Sequence, residues 1–148
     1  MANSIATPTI TERKAKIKAW LSRANSLELE IIELERARSA ACERLFAATQ
    51  VYKAMECSAS GVDRHTLEAV EALISLLEER VKKLTQFQVE IVNAIDQIDA
   101  PEVRTVMIAR YINGMPWDAI CADMHCSVRR AHYLHDDGLE ALLSVLDA

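Results

Sequence analysis

The sequence predicts an all-α protein: a long antiparallel helical hairpin of coiled-coil character, followed by a three-helix module of helix-turn-helix type. Three observations carry this. Two apolar seams with alternating three- and four-residue spacing run through the first two thirds of the chain. Only three prolines and three glycines interrupt 148 residues, and they fall almost entirely where such patterns start or stop. The last third is a series of short apolar faces, each opened by proline or serine.

Composition sets the limits. Apolar residues make up 51% and charged residues 26% of the chain, which is too apolar for disorder. No apolar run approaches the roughly 18 residues that a membrane-spanning helix needs. The opening MANSIATPTITERKAK has no charged segment leading into an apolar block and cleavage site, so a cytoplasmic protein is expected. Cys42, Cys57, Cys121 and Cys126 have no CxxC spacing and read as reduced thiols.

Residues 1–8 read as a flexible tail, 9–98 as an oligomerising hairpin and 99–148 as the helix-turn-helix module. Thr9 and Glu12 have capping-box spacing, which would satisfy two free N–H groups at a helix start. The first seam is Ile17, Trp20, Ala24, Leu27, Ile31, Leu34, Arg38, Ala41, Leu45, Ala48, Tyr52 and Met55, with Arg38 as its clear polar break. After the loop CSASGV, in which Gly61 marks a helix end and Asp63 a possible N-cap, the second seam begins. It comprises Leu67, Val70, Ile74, Leu77, Val81, Leu84, Gln88, Ile91, Ile95 and Ile98. A loop this short folds two helices back side by side.

Leu73, Leu76, Phe87 and Val92 flank the second seam and widen its apolar stripe beyond what two helices need. The wide stripe predicts self-association, as a homodimer, with Trp20, Leu27, Leu34, Leu73, Leu77, Leu84 and Phe87 as contacts. The alternative is that the C-terminal helices cover the stripe within one chain.

In the last third, Pro101 opens a helix with Val103, Val106, Met107 and Tyr111 at helical spacing, and Gly114 closes it. Pro116 opens a short helix in which Trp117, Ile120, Cys121 and Met124 share a face. Ser127 is a good N-cap for VRRAHYLHDDGLEALLSVL, whose inward face is read as Ala131, Leu134, Leu139, Leu142 and Leu146. A short helix, a tight turn and a capped second helix make a helix-turn-helix. The turn falls at His125, a residue type that tolerates positive φ. Gly138, inside the pattern, costs about 1 kcal/mol relative to alanine and marks a candidate bend.

The stretch RYINGMPWDAICADMHCSVRRAHYLHDDGLEAL resembles region four of bacterial sigma factors. It is similar also to the RinA- and ArpU-type transcription regulators of phages and prophages, which join helical N-terminal segments to such a module. The motif match covers about Pro101 to Leu142. The resemblance implies that the residues just after the cap enter the major groove: Ser127, Val128, Arg129, Arg130, His132 and Tyr133 are then the DNA contacts, with Ala131 and Leu134 buried between them. Arg129 and Arg130 are suited to guanine edges or phosphates, because a guanidinium offers parallel donors to either.

The same residues bear on other chemistries. Cys121, His125, Cys126, His132 and His135 supply donors for zinc. Yet Cys121 suits the helix-helix contact as a small residue, and His132 and His135 are read as lying on the exposed side of the last helix, so no metal or other cofactor is expected. No phosphate loop, nucleophile elbow or HExxH is present, and no enzyme is expected. From Asp99 to Ala148 eight acidic residues face four basic ones, which weakens a lone DNA-binding module. A basic cluster, Arg13, Lys14, Lys16, Lys18 and Arg23, opens the first helix and would suit DNA, an acidic partner or plain solvent.

The expected function is sequence-specific recognition of double-stranded DNA by a dimeric transcription regulator, an activator, of a phage or integrated element, with RNA polymerase as a possible further partner. Two other classes stay open: a helical protein that docks on polymerase or another protein without reading DNA, and a DNA-packaging recognition subunit.

Overall fold

The computed structural model describes residues 7–54 and 64–147. Among these there are five helices and no strand: α1 (Ile10–Ala54), α2 (Arg64–Asp96), α3 (Pro101–Tyr111), α4 (Trp117–Met124) and α5 (Val128–Leu146). The all-α expectation holds. The seam position Met55, the side chain of Tyr52, the loop with Cys57 and Gly61, and the Asp63 cap lie outside the described residues.

The ends form where the sequence places them. Glu12 returns its carboxylate to the Thr9 N–H at 2.8 Å, while the Thr9 hydroxyl accepts from the Glu12 N–H at 3.3 Å. This reciprocal pair satisfies two donors that α1 itself cannot. Pro101 stands in the first turn of α3, and Gly114 takes φ +63°, so the chain reverses without a Cβ clash.

Two compact units divide the contacts, Leu27–Thr85 and the set Met1–Ser26 with Gln86–Ala148. In the first unit α1 and α2 pair antiparallel. Glu30 bonds Arg80 at 2.8 Å, whereas Glu35 and Arg38 share a groove with Ile74, Leu77 and Val81, so the α2 partner falls in number as α1 rises. Leu27, Ala41, Val70 and Leu77 are buried along this pair.

The second unit joins the first turns of α1, the end of α2, and α3 to α5. Its core includes Ile17, Leu21, Ala24, Ile91, Ile95, Val106, Met107, Ile120 and Leu142. Each large apolar side chain removed from water contributes roughly 1.5–3 kcal/mol before chain entropy is charged. Leu21 was absent from the expected seam yet is fully buried, while Trp20, which the seam included, is half-buried. Residues 17, 21 and 24 also share a helical face, and an element packed among several others buries a stripe wider than a heptad seam.

Candidate nucleic-acid interface

The turn between α4 and α5 is built from backbone bonds. His125 adopts φ 51° and ψ 43°, the left-handed conformation expected there. Its N–H donates to Ala122 O at 3.4 Å, and the Cys126 N–H donates to Cys121 O at 3.1 Å. This bond pair closes the end of α4 and satisfies two of its free carbonyls. Ser127 then caps α5, its hydroxyl accepting from the Arg130 N–H at 3.1 Å.

α5 packs one face inward: Ala131, Leu134, His135, Gly138, Leu139 and Leu142 are buried. Leu146, assigned to that face from the sequence, is exposed in the last turn. Gly138 does not end or interrupt α5, which continues to Leu146. A Cβ built on it would stand 2.7 Å from Met107 Sδ and 3.2 Å from Val103 Cγ1, so glycine is what lets α5 approach α3 here.

The six side chains selected as DNA contacts, Ser127, Val128, Arg129, Arg130, His132 and Tyr133, are all exposed, within the cap and first turns of α5. The Arg129 side chain makes no hydrogen bond or ion pair with the described residues. Arg130 does: its guanidinium donates to Glu102 of α3 at 3.0 Å. Both partners are more than half exposed, so this pair contributes little to stability, but it sets where the guanidinium rests. His132 lies against Trp117, ring centroids 4.1 Å apart, and the Arg110 guanidinium sits 4.8 Å from the centre of the same indole.

His135 corrects the sequence reading. It is buried rather than on the exposed side, with its Nε2 2.6 Å from the Tyr111 hydroxyl and Trp117 edge-on at 5.2 Å. Trp117 accordingly packs on His132, His135 and Arg110. Burial first, then the positive charges of Lys18, His132 and Arg110, hold the His135 pKa down at about 4, and burial pushes Tyr111 up to about 12. Both directions fit a hydroxyl that donates to a neutral imidazole.

The acidic half of α5 is partly neutralised by α1. Lys14 Nζ reaches Asp136 at 3.0 Å and Glu140 at 3.0 Å, and Arg13 pairs with Asp147. Those carboxylates raise the Lys14 pKa. Three members of the basic cluster thus have an acidic partner inside the chain, since Arg23 also lies 3.9 Å from Glu90, and the pairings of Arg13 and Lys14 span more than a hundred residues, which no local pattern signals.

Among the described residues no group of three or more His, Cys, Asp or Glu side chains is placed to hold a metal ion. His135 turns inward to Tyr111. No helix among them is long and apolar enough to cross a membrane.

Of the oligomerisation candidates, Leu27 and Leu77 are buried within the chain, leaving little surface for a second copy. Trp20, Leu34, Leu73, Leu84 and Phe87 are half-buried, with the Arg23 guanidinium 4.4 Å from the Phe87 ring. Leu67, Ile74 and Val81, seam residues not selected as contacts, are 40–48% exposed.

Residues 47–141 match the family model described as "Protein of unknown function (DUF1492)", more than half of the chain. The chain belongs to the DUF1492 family. No curated protein and no solved structure matches it. The DUF1492 match takes in α2, α3, α4 and most of α5, including the turn at His125, the Ser127 cap and the exposed first turns of α5. Lys14, which pairs with the acidic half of α5, lies outside the DUF1492 match.

Proposed function

We propose that this DUF1492 chain is a sequence-specific DNA-binding transcription regulator of a phage or integrated element, acting as a dimer and reading the major groove with α5. The observation that supports it most is the exposed, capped start of α5 directly after a tight left-handed turn, with Arg129 unpartnered among the described residues. A helix entering the major groove presents its first turns to base edges, and a free guanidinium there can donate two parallel bonds to guanine. The resemblance of Pro101 to Leu142 to sigma region four and to the RinA- and ArpU-type regulators agrees with this. Lys14 and Arg13 reduce the repulsion that Asp136, Glu140 and Asp147 would otherwise exert on a phosphate backbone.

The test begins with affinity selection of sheared host and phage DNA at near-physiological salt, with sequencing of what is retained. One enriched motif is expected, arranged as a two-fold repeat. On that motif Arg129→Ala is expected to weaken binding about tenfold or more, the effect of losing a base-contacting arginine. Glu102→Ala is expected to strengthen it, since it removes a nearby negative charge and releases Arg130. Helicity by circular dichroism should be unchanged in both. No enriched motif from folded, concentrated protein would remove the reading. The net acidity from Asp99 to Ala148 favours, in that event, a module that docks on RNA polymerase or another protein.

A further inference from the structure

We infer that the groove between α1 and α2, with Ile74 and Val81 exposed over the buried Leu77 and a rim of Glu35, Arg38, Glu78 and Lys82, is where a second copy of this chain docks. This gives a location to the dimer named above and does not depend on recognition of DNA.

The apolar pattern of α2 asks for a partner. Its seam has two rows of seven-residue spacing. One row, Val70 and Leu77, is used inside the chain, 7% and 6% exposed. The other, Leu67, Ile74 and Val81, keeps 40%, 40% and 48% of its surface in water. Three large apolar side chains at heptad spacing form a continuous stripe about two turns per step, the form of surface that helices bury against other helices. Beside the groove, Ile32 and Phe46 stand three residues before and eleven after Glu35, which puts all three on one face of α1, and they are 42% and 67% exposed.

The charges of the rim select the occupant. A symmetric dimer brings the same patch against itself, so a rim of one sign would repel its own copy. This rim carries two acids and two bases in a short stretch, and a two-fold operation can set Glu35 and Glu78 of one copy against Arg38 and Lys82 of the other. All four side chains have solvent access, with Glu35, Glu78 and Lys82 exposed and Arg38 half-buried; Arg38 and Glu35 already lie 3.9 Å apart within the chain, an exposed pair that docking exchanges for pairs across the interface without unfolding the hairpin.

Sedimentation equilibrium of the full chain without DNA, in low salt, tests this directly. The wild type is expected to be a dimer. An acidic variant, Arg38→Glu with Lys82→Glu, and a basic variant, Glu35→Lys with Glu78→Lys, are each expected to lose at least tenfold in self-association while keeping their helicity. A one-to-one mixture of the two should restore dimers containing one of each, and added salt should weaken those mixed dimers. Ile74→Ser with Val81→Ser should abolish association with either charge pattern. A monomeric wild type at tens of micromolar overturns the inference. So do charge variants that dimerise as tightly as wild type, or folded variants whose mixture stays monomeric. A failure here with DNA selection still succeeding would leave the reading of α5 intact and remove only this interface.

Discussion

Gly138→Val is expected to destabilise the protein by about 3 kcal/mol, the scale of overpacking a filled core with a β-branched residue in a helix. The first added atom already meets Met107 Sδ at 2.7 Å and Met107 Cγ at 2.8 Å, with Val103 Cγ1 at 3.2 Å. Met107 is fully buried and Val103 is 5% exposed, so neither has open space to move into. Gly138→Ala separates two opposing effects. Alanine is better than glycine in a helix by about 1 kcal/mol, while overpacking typically costs about 1–3 kcal/mol, so a smaller net loss is expected. Urea titration should show the midpoint falling with an unchanged slope, the mark of lost stability in an unchanged fold. Combining Gly138→Ala with Met107→Ala opens the space that the Cβ needs. The double variant should then be more stable than the sum of the single losses predicts. Gly138→Val as stable as wild type would show that α3 and α5 do not touch at this crossing.

That glycine marks where sequence reading stops. A glycine within a helical pattern reads as a bend, because propensity is local and Met107, the neighbour that excludes a Cβ, is 31 residues away in α3. Local signals served well: the Thr9–Glu12 box, the Pro101 start, the left-handed His125 and the Ser127 cap all lie where their residue types suggest. So did the exposure of Ser127 through Arg130, His132 and Tyr133, which follows from Ala131 and Leu134 facing inward. What periodicity could not give is the partner of a polar group. His135 sits one residue from Leu134 and reads as solvent-facing until Tyr111 is found to satisfy it. Likewise Arg130 looked available for DNA, and only the fold brings Glu102 to it, while Lys14 finds Asp136 and Glu140 at the other end of the chain. These are long-range pairings of common residue types, and nothing in their local sequence distinguishes them from a solvated face.

Acidification is expected to weaken the fold through His135. Its pKa is lowered from 6.5 to about 4, chiefly by burial. Above about pH 6.5 the imidazole is neutral in both folded and unfolded chains, and the stability is fully present. As pH falls below that value the unfolded chain takes up a proton that the folded one refuses, so stability drops until about pH 4, where the folded chain protonates too. A depression of this size corresponds to a loss of up to roughly 3 kcal/mol across the window, at about 1.4 kcal/mol per pH unit. Carboxylates titrate near its lower end, so the informative quantity is the difference between wild type and a variant that has no imidazole. Tyr111→Phe with His135→Leu removes both ends of the 2.6 Å bond together and leaves no buried polar group unpaired. Its thermal midpoint should fall less than wild type's between pH 6.5 and 4.5. His135→Leu alone strands the Tyr111 hydroxyl and should be less stable than the double variant by about 1–3 kcal/mol at neutral pH. Parallel pH profiles for wild type and the double variant would show that the imidazole stays accessible to protons in the folded chain. Trp117 would then no longer seal it, and the ring contact at 5.2 Å would have to open in solution.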